Sequence, residues 1–458
     1  MHKAGQSPRR RRLGRQLRLF PRQFWLLVGG TFFYLLVIGL AFPYTAILIK
    51  ERLGVSMAVV GAIMGGTALA GLPLQPLAGS LSDRFGRRAV MIVCCCCSGV
   101  MYGGLAFAHG FWPICLAVFC DRALGWPLFL TASNAMVADL VRTRLRPEGY
   151  SLVRLMIGAG EVVGPLIAAA LLAAGFGLSL LFVLAGAGCF VFLVFVVVAL
   201  RETRPRAARH VRSTTVSEGP AVYGVRDVIR IPSRRRLRRR RAARRRAERR
   251  RSARLAPQGY RRVLADRHFR AFCAVSLLPL FIFGQMYSTF PVLVTGDRYL
   301  HLRPAAWGLL MSYSALVIVV SQYPIVRAVR RFDPMYQVAL ASLLFGCGVG
   351  FTAFVPASWP LLLTIAALSL AQALFGPVSS AIVARLAPVE LRGRYMGAWT
   401  LVWQGGQGSL GPIFGGLALA RFGSHITFGA IVAMGLAGAC LYPLLRAAAT
   451  RTVTVAVR

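Results

Sequence analysis

Acidic residues are scarce in this chain: of 458 residues, 14 are Asp or Glu against 55 Lys or Arg, a formal net charge of +41. Charged residues together make up only 15%, where soluble domains carry about 25%, so water cannot be the solvent for most of the chain. Lysine is nearly missing, occurring at positions 3 and 50 alone. The six histidines, at 2, 109, 210, 268, 301 and 425, are scattered and form no helical His-x-x-x-His pair. Four of the ten cysteines run from Cys94 to Cys97, but successive helical residues point about 100° apart and cannot surround one ion. No metal site is expected, and the cysteines read as small apolar residues. No nucleophile–base pair falls at membrane depth, which argues against a membrane enzyme, and nothing calls for a cofactor. The first apolar segment is too long for a cleavable leader, and no small-residue cleavage site follows it.

What fills the chain instead is apolar. Hydrophobic residues are 57% of it, with a mean hydropathy of +0.62. A spanning helix needs ~20 consecutive apolar residues, and twelve segments qualify, near 24–49, 58–79, 89–108, 111–138, 152–175, 177–200, 269–294, 305–326, 336–355, 359–383, 396–419 and 425–445. They are too long for barrel strands, and backbone polar groups in hydrocarbon must be satisfied within the chain. The expected fold class is therefore an all-α membrane protein with twelve transmembrane helices. The basic residues alternate from loop to loop. The even connections hold Arg84, Arg87 and Arg88, then Arg142, Arg144 and Arg146, Arg327, Arg330 and Arg331, and Arg385, Arg392 and Arg394; the odd ones hold only Lys50, Arg52, Arg298, Arg303 and Arg421. Positive charge in short loops marks the cytoplasmic side, which places both termini inside, by default at a bacterial inner membrane.

Between 201 and 267 the composition shifts to 24 Arg and five acids. This stretch divides the spans six and six, so the expected organisation is a basic tail (1–23), an N-terminal bundle (24–200), an Arg-rich cytoplasmic linker (201–267), a C-terminal bundle (268–446) and a short tail (447–458). Blocks of like charge repel and stay disordered. Near an anionic leaflet each Arg is worth ~1 kcal/mol, which makes anionic lipid the expected partner of the linker. Nucleic acid is disfavoured, because no aromatic residues interleave the run from Arg234 to Arg251 and no folded reader surrounds it.

The decisive motif lies between the second and third spans. Gly79-Ser80-Leu81-Ser82-Asp83-Arg84-Phe85-Gly86-Arg87-Arg88 resembles the signature loop of the major facilitator superfamily. The resemblance implies two pseudo-symmetric six-helix bundles, a substrate site between them near mid-bilayer, and alternating access. The chain carries its own sign of duplication. Gly164-Pro165 in the fifth span and Gly411-Pro412 in the eleventh are 247 residues apart, as are Arg84-Phe85 and Arg331-Phe332. The resemblance assigns Gly79, Asp83, Arg84, Gly86, Arg87 and Arg88 to a gating loop, with Asp83 beside the start of the eleventh helix as a latch.

Ionisable residues deep in the spans are few: Asp121, Arg122 and Glu161, with Asp139 and Arg154 nearer the cytoplasmic ends. Such charges are expensive in a membrane and point to function. Counting 1.5 Å per residue puts Arg122 about 16 Å and Glu161 about 15 Å deep, near the middle of a ~30 Å core. If the fourth and fifth helices are antiparallel neighbours, the two can pair. Asp121 and its neighbour Arg122 point too far apart to share one partner. Asp121-Arg122-Ala123-Leu124-Gly125 resembles the Arg-x-x-Gly segment of the superfamily's fourth helix, whose Arg is implicated in proton transfer. Gly160 to Pro165 resembles the Gly-x-x-x-Gly-Pro segment of the drug:proton antiporters, which makes Gly160, Gly164, Pro165, Gly411 and Pro412 a helix-packing motif. The sequence departs from that branch in having Gly158 where an Asn is usual and in lacking an acid in the first helix. Polar and aromatic residues of the second half, namely Gln285, Tyr287, Trp403, Gln404 and Gln407 together with Gln322 and Gln372, are candidates for the cavity wall.

The reading is a monomeric secondary transporter that exports lipophilic or cationic small molecules in exchange for protons through Asp121, Arg122 and Glu161. The competing readings are a uniporter or symporter of one metabolite, with Glu161 in a fixed ion pair, and a membrane anchor or sensor recruiting partners through the Arg-rich linker.

Overall fold

The computed structural model describes residues 20–75, 81–82, 84–142, 145–203, 256–296, 302–352, 360–388 and 391–456. Gly79, Asp83 and nearly all of the Arg-rich stretch lie outside them. Within the described residues the chain is helical, and ten helices are long and apolar enough to cross a membrane. They are α1 (Arg22–Leu53), α2 (Met57–Leu74), α3 (Arg87–Phe107), α4 (Phe111–Leu140), α5 (Arg146–Ala173), α6 (Leu178–Val198), α7 (Arg267–Thr295), α8 (Pro304–Val329), then α10 (Pro360–Leu386) and a long run, Arg392–Ala447. The shorter α9 (Pro334–Thr352) sits between α8 and α10. The long run is two spans, α11 (392–422) and α12 (424–447), because Gly423 turns the chain at φ 74°, a region open to glycine but costly for other residues. Gly175, between α5 and α6, makes the corresponding turn at φ 91°. Twelve spans result, with ends within a few residues of those read from hydropathy. The face at which α1 begins collects the arginines and is called the basic face below; the opposite one is the far face.

The duplication is visible atom by atom. Lipid tails are as apolar as leucine, so spans associate by close packing of small residues rather than by hydrophobic burial. A methyl added to Gly164 of α5 would meet the Leu36 carbonyl oxygen at 2.5 Å and Gly39 Cα at 2.8 Å, both on α1. A methyl on Gly411 of α11 would meet the Phe281 carbonyl oxygen at 3.0 Å and Gly284 Cα at 3.1 Å, both on α7. The same pairing joins α3 to α6 and α9 to α12. Gly186 faces the Gly103 nitrogen and the Gly99 carbonyl, while Gly435 faces the Gly346 nitrogen and the Ser342 carbonyl.

Both α1 and α7 break at matching places. Pro43, which lacks an amide proton, tightens α1 into a 3-10 turn over Phe42–Tyr44. Non-helical Ser288 ends the first part of α7 before a second helix, Thr289–Thr295. The two breaks meet between the halves, with the Phe42 and Tyr287 rings 5.3 Å apart.

Polar ties fix the ends of the bundles. In the N-terminal half, Gly86 takes φ 101°, and the amides of Arg87 and Arg88 at the start of α3 donate to the Glu202 carboxylate at 3.0 and 3.1 Å. An anion is favoured at a helix N-terminus, and a side chain on residue 86 would occupy the place of that carboxylate. Arg87 also pairs with Asp139 at the end of α4, 2.9 Å away. Arg88 Nε donates to the Val196 carbonyl at 3.3 Å, capping α6. In the C-terminal half the signs are exchanged: Asp333, at the start of α9, pairs with Arg446 of α12 at 2.9 Å.

Candidate functional site

The halves meet along two seams. On one, α2 lies against α11, with Gly61 on the Pro412 carbonyl, Gly65 on Ser409 and Ile413, and Leu72 beside Gly405. On the other, α5 lies against α8. Gly308 fits beneath Tyr44 and against Pro165, Ser312 Oγ donates to the Val162 carbonyl at 2.8 Å, and Gly158 faces Val319. At the far face, Trp307 Nε1 donates to the Pro43 carbonyl at 3.0 Å. Tyr44 and Trp307 are fully buried there.

Toward the basic face from these contacts lies a cavity of about 290 Å³, lined by Arg154 of α5, Ile318 and Gln322 of α8, Gln372 and Pro377 of α10 and Trp403 of α11. Its size suits a small organic molecule. The Arg154 guanidinium makes no hydrogen bond or ion pair among the described residues. The buried Gln372 Oε1 has no donor. Trp403 spends its N–H on Gln407 Oε1 at 3.1 Å, leaving its ring to face the cavity. Behind it stand Phe283, Phe375 and Trp399, with centroids 5.7 to 6.4 Å from that of Trp403. Gln404 and Gln407 belong to a π-helical turn, Gln404–Leu410, a widened geometry often found where a helix serves a site.

A second π-helical turn, Asp121–Gly125, interrupts α4. Asp121 is buried at 4% exposure and its Oδ1 accepts from Ser98 Oγ of α3 at 2.5 Å. The Tyr34 hydroxyl of α1 is in turn 2.8 Å from Ser98 Oγ. Gly125 leaves room for the carboxylate, since a methyl there would meet Ser98 Oγ at 2.8 Å and the Asp121 carboxyl carbon at 2.8 Å. Asp121 therefore points into the N-terminal bundle, away from the cavity.

Arg122 faces a different way. Its guanidinium carbon lies 5.2 Å from the centre of the Phe42 ring, within range of a cation–π contact, and its buried Nε has no hydrogen-bond partner. The expected ion pair between Arg122 and Glu161 does not form among the described residues. The reason is packing: Gly160 and Gly164 seat α5 on Leu35, Leu36 and Gly39 of α1, and Arg122 rests on Phe42 of that same helix. Thus α1 stands between α4 and α5 at this depth.

Glu161 is exposed and shares with Arg154, Gly158 and Pro165 the face of α5 turned toward α8. Arg154 stands two helical turns from it on that face. Gln285 is not in the cavity. Its amide donates to the Gly411 carbonyl at 2.8 Å and the Phe281 carbonyl at 3.1 Å, and its oxygen accepts from Thr289 Oγ1 at 2.7 Å. Both of its N–H groups and its oxygen are engaged, two bonds lying within α7 and the one to Gly411 tying α7 to α11. Of the gating-loop residues, Arg84 lies over Phe85 with its guanidinium carbon 5.5 Å from the ring centre, a contact repeated by Arg331 over Phe332 at 5.0 Å. Phe42 had no signal in the sequence beyond the adjoining Pro43.

A profile of the Major Facilitator Superfamily matches residues 27–299 and 275–455. The chain belongs to that superfamily. Among characterised and uncharacterised relatives, it is 23% identical to an MFS-type transporter, YqjV, of Bacillus subtilis, over 87% of each chain. It is 25% identical to the multidrug resistance protein MdtH of Aeromonas hydrophila, over 85% of this chain and 83% of that one. It is 22% identical to a Na(+), Li(+), K(+)/H(+) antiporter of Planococcus maritimus, over 81% of this chain and 84% of that one. Its fold is similar to that of the nucleoside transporter NupG, with a TM-score of 0.71 at 13% identity over 93% of this chain and all of that one. This superfamily member is thus an integral membrane transporter.

Proposed function

We propose that the protein exports lipophilic small molecules in exchange for protons, with Glu161 as the carboxylate that loads and releases the proton. The observation that carries this reading is the position of Glu161: mid-span, exposed on the α5 face at the seam between halves, with no ion pair among the described residues. A carboxylate placed there passes from one aqueous side to the other when the halves rock, and binding of a proton or of substrate changes the charge of the same space. Asp121, held by Ser98 and Tyr34 behind the cavity, is a second carboxylate in the same half, and Arg122 between them sets the local positive field. The similarity to a multidrug resistance protein and to a cation/proton antiporter supports both parts of the reading.

In this account the basic face is cytoplasmic, both termini lie inside a bacterial inner membrane, and the protein works as a monomer. The bundles span 24–200 and 268–446, and the intervening Arg-rich segment lies along anionic lipid. Asp83 latches the gating loop to α11 in the opposite state. The test is purified protein in liposomes enclosing a pH-sensitive dye, with lipophilic compounds added under an imposed pH gradient. Compound-dependent proton movement that vanishes in Glu161→Gln is the expected result. Undiminished proton movement in that variant, or uptake of a single metabolite indifferent to the gradient, would contradict it.

A further inference from the structure

We infer that the substrate is an amphipathic aromatic anion, a planar ring carrying a carboxylate or sulfonate. This rests on the reading above that the cavity is the transport site, and it names the class of molecule the cavity accepts. Lipophilic or cationic compounds are what the sequence alone suggested; the charge in the cavity wall runs against the cations.

The one charged side chain lining the cavity is Arg154, and no described group neutralises it by contact. The described acids are otherwise engaged. Asp139 pairs with Arg87, Glu202 sits on the amides of α3, Asp333 pairs with Arg446 and Asp121 is held by Ser98. Asp266 caps α7 and accepts from the Tyr395 hydroxyl at 2.7 Å. Glu51 and Glu148 lie at helix ends. That leaves Glu161, two helical turns beyond Arg154 as seen from the basic face, so a molecule arriving from that face meets the arginine first.

A guanidinium presents paired donors that match a carboxylate or sulfonate. Trp403 offers a ring face with its N–H already spent, which suits stacking of an aromatic body. A cation of the same shape would bring like charge against Arg154 with no anion beside it in the wall.

The experiment is isothermal titration of the purified full-length protein, corrected for detergent alone, with 1-naphthalenesulfonate and 1-naphthyltrimethylammonium. The two share a ring and differ in sign. The sulfonate is expected to bind at least about tenfold more tightly, Arg154→Gln to abolish that preference, and Arg154→Lys to keep part of it, which guards against mere misfolding. Equal or tighter binding of the ammonium, binding of neither, or a preference that survives Arg154→Gln would overturn the inference. Because no pH gradient is involved, loss of proton exchange in the earlier test leaves this result untouched. Conversely, failure here leaves proton-coupled export standing with a different substrate class.

Discussion

Adding one methyl group at Gly61 should drive the halves apart at the far face. The added carbon would fall on the Pro412 carbonyl oxygen, with the Pro412 carbonyl carbon at 3.0 Å and Gly416 Cα at 3.2 Å. All three are backbone atoms of α11, so no rotamer change relieves the overlap. Overpacking of this kind costs about 1–3 kcal/mol. The cost applies only while α2 and α11 are pressed together here, so it weighs against the far-face-closed state. The conformers of such a two-state system differ by a few kcal/mol, and 1–3 kcal/mol corresponds to about a 5–150-fold shift in their ratio. Hydroxyl-radical footprinting reads the outcome through Tyr44 and Trp307, both at 0% exposure in the closed seal. In Gly61→Ala their oxidation should rise at least about fivefold over wild type, within that range. Gly66→Ala is the control, because a methyl there meets nothing within 4 Å. Unchanged labelling in Gly61→Ala, or an equal rise in Gly66→Ala, would refute the seam as a moving contact.

Two further substitutions test the ties that hold each bundle. Gly86→Ala places a side chain at φ 101° and displaces the Glu202 carboxylate. It should cost about 1–2 kcal/mol in backbone strain plus the lost capping, while Gly86→Ala with Glu202→Ala should cost about 1 kcal/mol less than the sum of the single changes. Melting of the purified variants decides this, and strict additivity would contradict the contact. Gln285→Ala removes the side-chain bond from α7 to the Gly411 carbonyl of α11 and leaves the Thr289 hydroxyl without its acceptor, and should lower stability by about 1–3 kcal/mol without altering which compounds are bound. An altered binding spectrum at unchanged stability would return Gln285 to the cavity wall.

Much of this architecture can be read along the chain because its causes are local. The twelve apolar runs, the basic loops and the paired Gly-Pro steps each depend on a few consecutive residues, and spacing alone relates Gly164 to Gly411. What the chain does not disclose is azimuth. Depth follows from counting residues, but the direction in which Arg122 or Glu161 points depends on which helix lies alongside. Here Gly160 and Gly164 draw α1 into the space where a direct pairing of α4 and α5 was expected. Gln285 illustrates the same point. A glutamine in a span reads equally as cavity lining or as a staple, and only the approach of Gly411 and Thr289 decides. Arg154 was readable as a charge near a helix end, yet its place in the cavity wall depends on α8, α10 and α11. Glu202 gave no hint of its role, since its partners are amides 114 and 115 residues earlier in the chain.

The central claim is that Glu161 couples substrate movement to protons while the cavity lined by Arg154 and Trp403 only binds. The most direct test compares two assays of one variant in liposomes: net transport driven by a pH gradient, and substrate-for-substrate counterflow at equal pH. With any compound the wild type carries, Glu161→Gln should lose the gradient-driven movement and keep counterflow, because exchange needs alternating access and no proton step. Loss of both activities in a folded protein would make Glu161 part of the binding site, and retention of both would remove it from coupling altogether.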